Sequence, residues 1–109
     1  MPTFNTNADT DWVRHNVVVQ KRVLFRSCVV ANKNAAQGFW LWVCDSNNEG
    51  AAKPSMAPLW VPPLSSQSID RSYSPRRMYN GIYVVATTDP VVKTLPATND
   101  AYFEVDYDV

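Results

Sequence analysis

The chain has 109 residues, ten Lys/Arg against ten Asp/Glu, and 46% hydrophobic residues, which suits a single core that buries roughly two-thirds of the unfolded surface. Zero formal net charge removes the usual electrostatic ground for making DNA, RNA or anionic lipid the main partner, since such binding rests on neutralising phosphates. No apolar stretch approaches the ~18 residues that cross a bilayer, so no membrane partner is expected.

Residues 1–11 are polar, rich in Asn, Thr and Asp, and carry no hydrophobic period. They read as an extended N-terminal arm, 1–11, ahead of a single β-sandwich domain, 12–109. Such an arm gains order by lying along something, which points to a neighbouring subunit. It has no basic region, apolar run or cleavage-like site, so no signal peptide is readable and synthesis in a cytoplasm is the expectation.

From Val17 to Ala31 the chain is dense in β-branched residues and broken only by Gln20-Lys21-Arg22, which predicts two strands or one bent strand. In its second part, the period of two puts Val23, Phe25, Ser27, Val29 and Ala31 on the face expected to be core, with Leu24, Arg26, Cys28 and Val30 opposite. Asn32 to Gly38 supplies a turn. Phe39-Trp40-Leu41-Trp42-Val43-Cys44 is then a strand apolar on both faces, so one face meets the core and the other a further layer or a neighbour. Asp45 to Ser55 is a long surface loop. The prolines around Leu59-Trp60-Val61 confine that segment to an edge. Ser65 to Tyr73 reads as a solvated strand, and Ser74 to Gly81 as a linker ending in the turn dipeptide Asn80-Gly81.

Ile82 to Thr87 is a strand, Val91 to Leu95 a strand or loop, and Ala101 to Val109 an alternating strand. In that last strand Phe103, Val105, Tyr107 and Val109 are expected inward, and Tyr102, Glu104, Asp106 and Asp108 outward as a solvated acidic stripe. No sustained 3.6 period appears. Six to eight short strands with Pro, Gly and Asn turns predict an all-β, antiparallel sandwich of jelly-roll or immunoglobulin-like type.

The residues offer little chemistry. His15 is the one histidine and has no nucleophile motif around it. The three glycines make no phosphate-cradling loop. One His and two Cys lack the spacing of a zinc site. Cys28 and Cys44 fall in successive apolar segments that could face each other across paired strands; buried free thiols are the favoured reading and a disulfide the alternative. The expectation is a protein that is not an enzyme and needs no metal or cofactor. Trp12, Trp40, Trp42 and Trp60, with Tyr73, Tyr79 and Tyr83, suffice for a sugar-stacking platform, but serve equally as core or as oligomer-interface anchors.

Several segments taken together resemble a known group. They are Arg26-Ser27 with Cys28 and Ala31-Asn32, then Ala35-Ala36, Phe39-Trp40-Leu41-Trp42-Val43, Met56-Ala57-Pro58-Leu59, Arg76-Arg77-Met78-Tyr79-Asn80-Gly81-Ile82-Tyr83-Val84, Ala86-Thr87-Thr88-Asp89-Pro90, and Phe103-Glu104-Val105-Asp106-Tyr107. Over residues 17–109 this pattern is similar to the small β-sandwich virion proteins of tailed bacteriophages: capsid decoration (cement) proteins, head fibres and tail or adaptor subunits. The resemblance implies a structural subunit of the virion, foremost a decoration protein that binds the major capsid protein as a trimer. A tail, adaptor or fibre-associated subunit, or a host-carbohydrate-binding module, is the alternative. It implies no catalytic residues. The contact residues expected are Phe4 and Trp12 near the arm, the pair Trp40 and Trp42, Trp60, and Arg76 with Arg77, whose guanidinium groups would meet an acidic capsid surface or Glu104, Asp106 and Asp108 of a neighbour.

Overall fold

The computed structural model describes residues 5–50 and 53–109, with backbone alone for residues 5–8. Among these residues there are nine strands: β1 (Asn5–Asp9), β2 (His15–Val19), β3 (Val23–Asn32), β4 (Phe39–Cys44), β5 (Leu59–Val61), β6 (Ser65–Asp70), β7 (Arg76–Met78), β8 (Ile82–Thr87) and β9 (Ala101–Asp108). Nine rather than six to eight reflects β1, which lies in the segment read as an arm, and the three-residue β7, which lies in the segment read as a linker.

The pairing has a simple plan. β1 lies against β9, β2 against β8, β3 against β6 and β7, and β4 against β5, all antiparallel. The chain is thus one long hairpin bent at the β4–β5 connection, with successive strand pairs falling alternately in two sheets. Pairing of β3 with β9 and of β4 with β8 completes the sheet orders β1-β9-β3-β6 and β2-β8-β4-β5. Two four-stranded sheets wound this way make a jelly roll, with β7 as an addition beside β6. Of the two sandwich types that the sequence allows, the strand order selects this one.

Within the segment read as an arm, residues Asn5–Asp9 run along β9 of the same chain as an edge strand. Thr10 prolongs the ladder: its amide donates to the Phe103 carbonyl at 3.0 Å, and its buried hydroxyl oxygen accepts from the Phe103 amide at 2.9 Å. Backbone bonds of this kind need no apolar side chains, which is why the segment has no hydrophobic period.

Between the sheets lie Phe25, Cys28 and Val30 of β3, Phe39, Leu41 and Val43 of β4, Ile82, Val84 and Ala86 of β8, and Phe103, Val105 and Tyr107 of β9. Each large side chain so buried contributes roughly 1.5–3 kcal/mol. The expected parity of β3 holds only for Val23 and Phe25. The register on β9 slips between Phe25 and Ser27, so Arg26 is an extra residue in a bulge. Beyond it the inward set is Cys28, Val30 and Asn32, while Val29 is 42% exposed. The bulge sits where β3 changes partner from β7 to β6, and the Arg26 carbonyl there accepts from the Arg71 amide at 2.6 Å.

Two expectations for β9 change. Val109 ends the chain exposed, and Asp108 is 2% exposed rather than solvated. Its Oδ2 lies 2.8 Å from Arg26 Nη1, so the bulge that turns Arg26 outward also supplies the cation that lets a carboxylate be buried. At the other end of β3, buried Asn32 ties three segments. Its amide lies 3.0 Å from the Gln37 carbonyl and 3.2 Å from that of Pro62, and its Oδ1 accepts from the Asn34 amide at 2.9 Å. Gly81 has φ of +142°, and a Cβ there would stand 2.2 Å from the Val19 carbonyl oxygen, so the Asn80-Gly81 turn admits no side chain at its second position.

Candidate interaction surface

The outer face of the second sheet is a ladder of rows read across β2, β8, β4 and β5. One row is Val17, Tyr83 and Cys44, the next His15, Val85 and Trp42, and the last Thr87, Trp40 and Trp60. Trp42, Cys44, Tyr83 and Val85 form a second cluster, packed by Val17, Trp40 and Leu95. Trp42 is 2% exposed and has no surface left for a partner, which corrects its place among the contact residues. The cover comes from the β8–β9 connection, which brings Leu95 onto this cluster from the segment read as a strand or loop. Buried Thr87 organises it: its Oγ1 lies 2.9 Å from the Asp89 carbonyl and accepts from the Thr94 amide at 2.9 Å. The Asp89 carboxylate accepts from the amides of Val91 and Val92, both at 2.8 Å, and those two bonds hold its pKa below the usual value. Lys93 then lies over the Tyr83 ring, 5.0 Å from its centre, and donates to the Glu49 carbonyl.

Beneath this cover, His15 packs edge-on to Tyr83 with ring centres 5.8 Å apart. Its Nδ1 is 3.5 Å from Glu49 Oε1, too far and too poorly aligned to make a hydrogen bond. Together with the Trp42 indole and the Tyr83 hydroxyl, it is buried without a hydrogen-bond partner. The cysteines do not face each other: Cys28 belongs to the first sheet and the main core, Cys44 to the outer face of the second. Burial pushes both thiols up to about 12, so they are neutral apolar fillers rather than nucleophiles.

Trp60 is the open end of the last row. It is 43% exposed, with its ring centre 5.2 Å from that of half-buried Trp40. A Cβ on Gly38 would fall 2.4 Å from the Trp60 ring. The ring therefore lies flush against bare backbone and is held in one pose, a role beyond the turn-forming one expected of this glycine. Trp12, 41% exposed, sits on the opposite side of the molecule, 5.8 Å from the Tyr102 ring, with Lys33 Nζ 4.8 Å from its centre. Phe4, the remaining aromatic expected at a contact, lies outside the described residues.

The outer face of the first sheet is polar. Its rows are Asp9, Glu104, Val29 and Ser68, then Asn7, Asp106, Ser27 and Asp70. Exposed Val29 sits among these carboxylates. Arg76 and Arg77, both exposed, stand on β7 beside the β2–β3 turn, where Lys21 and Arg22 are also exposed. Arg22 lies over the ring of exposed Tyr79 at 5.4 Å, and Tyr73 is fully exposed nearby in the chain. Sequence reading found the Arg pair and named the two tyrosines as candidate aromatic anchors, but did not join them to Lys21 and Arg22, which the β2–β3 turn brings beside β7.

Among the described residues no three His, Cys, Asp or Glu side chains gather as a metal site. A shallow depression of about 300 Å³ is lined by Asp45, Ser46, Asn47, Asn48 and Asn80. Its one carboxylate, Asp45, is occupied by the amides of Tyr79 at 3.0 Å and Asn80 at 2.8 Å, so it acts as a clasp on the β7–β8 turn. No protein-family model matches the chain, and no curated protein is similar enough to it to count as a relative. The geometry defines a small jelly roll with three surface features: a fixed exposed tryptophan, an acidic sheet face and a basic end.

Proposed function

We propose that this chain is a non-enzymatic structural subunit that works by protein–protein association, of the tailed-phage virion type, and specifically a capsid decoration protein that sits on the head as a symmetric oligomer. The observation that carries the reading is Trp60. A large ring, 43% exposed while packed against Gly38 and Trp40, is restrained on one side before a partner arrives, which lowers the entropic cost of burying the other side. Jelly rolls serve in capsid proteins and in lectins; that analogy is one of fold, and the function rests on the surface. Exposed Trp12, packed on half-buried Tyr102 of β9, supplies a second aromatic contact away from Trp60, as a subunit touching two neighbours requires.

The test pairs mass photometry of the purified chain with pelleting against phage heads assembled without it. The wild type should form a closed oligomer, co-sediment at fixed stoichiometry and raise the melting temperature of the heads, and Trp60→Ala should lose all three. A chain that stays monomeric and ignores heads overturns the reading. Trp60 also fits a second reading, because an exposed fixed indole stacks on sugars. Quenching or a shift of tryptophan fluorescence by host polysaccharide, abolished in Trp60→Ala, would favour that one.

A further inference from the structure

The formal charge of zero conceals a segregation of sign. At the end where β7 pairs with the start of β3, five cations are carried by adjoining segments: exposed Lys21 and Arg22 on the β2–β3 connection, half-buried Arg71 on the β6–β7 connection, where its Nε donates to the Ser74 carbonyl, and exposed Arg76 and Arg77 on β7. None has a carboxylate within 4.0 Å among the described residues, where the ion pairs are His15 with Glu49 and Arg26 with Asp108. The acids nearest in the fold are engaged elsewhere. Asp45 holds the amides of Tyr79 and Asn80, and Asp70 accepts from the Ser72 amide at 2.9 Å. The matching negative charge lies on the outer face of the first sheet, where Asp9 and Glu104 are exposed and directly opposite each other across β1 and β9, with Asp106 two residues further along β9.

Like charges held together without partners cost free energy, and two such patches of opposite sign on one molecule attract at long range. We propose, resting on the assembly reading above, that the basic end of one copy docks on the acidic sheet face of the next. Arg76 and Arg77 meet Glu104 and Asp106 there, and Tyr79 packs against exposed Val29. The second copy is the favoured occupant because the complement of the basic end is present on this same chain. The contact joins two different patches, so it is heterologous: it closes into a ring when the rotation allows and otherwise extends as a chain. A face-to-face dimer on either patch would oppose like charges and is disfavoured.

The experiment is sedimentation velocity at low and high salt on the wild type and three charge variants. These are R76E/R77E, E104K/D106K, and the fourfold exchange R76E/R77E/E104K/D106K. The wild type should associate at low salt and dissociate at high salt, because exposed charges are screened over about 10 Å at 0.1 M. Each double variant should weaken association at least tenfold, and the fourfold variant, with signs exchanged on both patches, should recover it. Circular dichroism of each variant establishes that it is folded: Arg76, Arg77 and Glu104 are exposed, and half-buried Asp106 gives up only a 3.3 Å bond from the Ser27 hydroxyl.

Salt-independent oligomers untouched by the reversals overturn the end-to-face contact while leaving assembly standing. A monomer that still binds phage heads overturns it too, and leaves the decoration reading intact. A wild type that stays monomeric but binds a labelled oligonucleotide, with binding lost in R76E/R77E, assigns the basic end to phosphates and overturns the proposal.

Discussion

Replacing Asn32 tests the polar knot that carries the Trp60 platform. The side chain is 3% exposed, and its amide and carbonyl make three well-formed bonds, to the Gln37 and Pro62 carbonyls and from the Asn34 amide, at 3.0, 3.2 and 2.9 Å. At about 1 kcal/mol each, Asn32→Leu forgoes about 3 kcal/mol and regains about 1 from apolar burial. The net loss of about 2 kcal/mol corresponds to a melting temperature lower by about 10 °C for a domain of this size. Asn32→Asp keeps the shape and the bond from Asn34, but turns a carboxylate oxygen toward three carbonyls, that of Val61 included.

The acid form of that aspartate can still donate one bond, so its folded pKa lies above the unfolded value near 4. Stability is then best below that pH and falls as pH rises through the folded pKa. Urea titrations followed by circular dichroism at pH 4.5 and pH 7, with the wild type as reference, give both quantities. A loss under about 0.5 kcal/mol for Asn32→Leu, which is the scatter of a neutral surface change, would refute the reasoning, as would an Asn32→Asp deficit that does not grow with pH.

Arg26→Ala leaves the 2% exposed carboxylate of Asp108 without its cation; because Arg26 is itself 28% exposed, the cost should be about 2 kcal/mol, below the 3–5 of a deeply buried pair. Asp108→Asn in the Arg26→Ala background should restore part of it in the same urea assay. Cys28 and Cys44, with thiols pushed up to about 12 by burial, should stay inert to a thiol reagent at pH 8 in the folded protein and both react in urea; rapid native reaction would place them at the surface. Asp89, held below its usual pKa by the Val92 and Val91 amides, stabilises the β8–β9 connection above the unfolded carboxylate pKa, and that contribution fades as pH falls through the lower folded value. The amide resonances of Val91 and Val92 should therefore titrate together at acid pH in the wild type and not in Asp89→Asn.

The all-β sandwich is legible in the chain because most strands carry their own period and most turns their own residues, as Asn80-Gly81 and the prolines around β5 do. What escapes the sequence depends on single residues and on distant partners. One inserted residue at Arg26 reverses the inward face of β3, and nothing local distinguishes an arginine in a bulge from one on a regular strand. Asp108 looks solvated because its cation comes from that bulge. Trp42 looks like an interface residue because the connection that covers it has no strand period: hydrogen bonds at Thr87 and Asp89 shape it so that one apolar side chain, Leu95, packs on the cluster. The contact candidates Trp60, Arg76 and Arg77 could be named from the sequence. The cation cluster around Arg76 and Arg77 needs the fold, since Lys21 and Arg22 come from a connection some fifty residues earlier in the chain than Arg71, Arg76 and Arg77.

The account stands or falls on association. Sedimentation of the purified wild type across a concentration series at low salt is the direct measurement. A discrete closed oligomer that Trp60→Ala dissolves is the predicted result. A single monomeric species at every concentration, with no binding to heads that lack the chain, would contradict it.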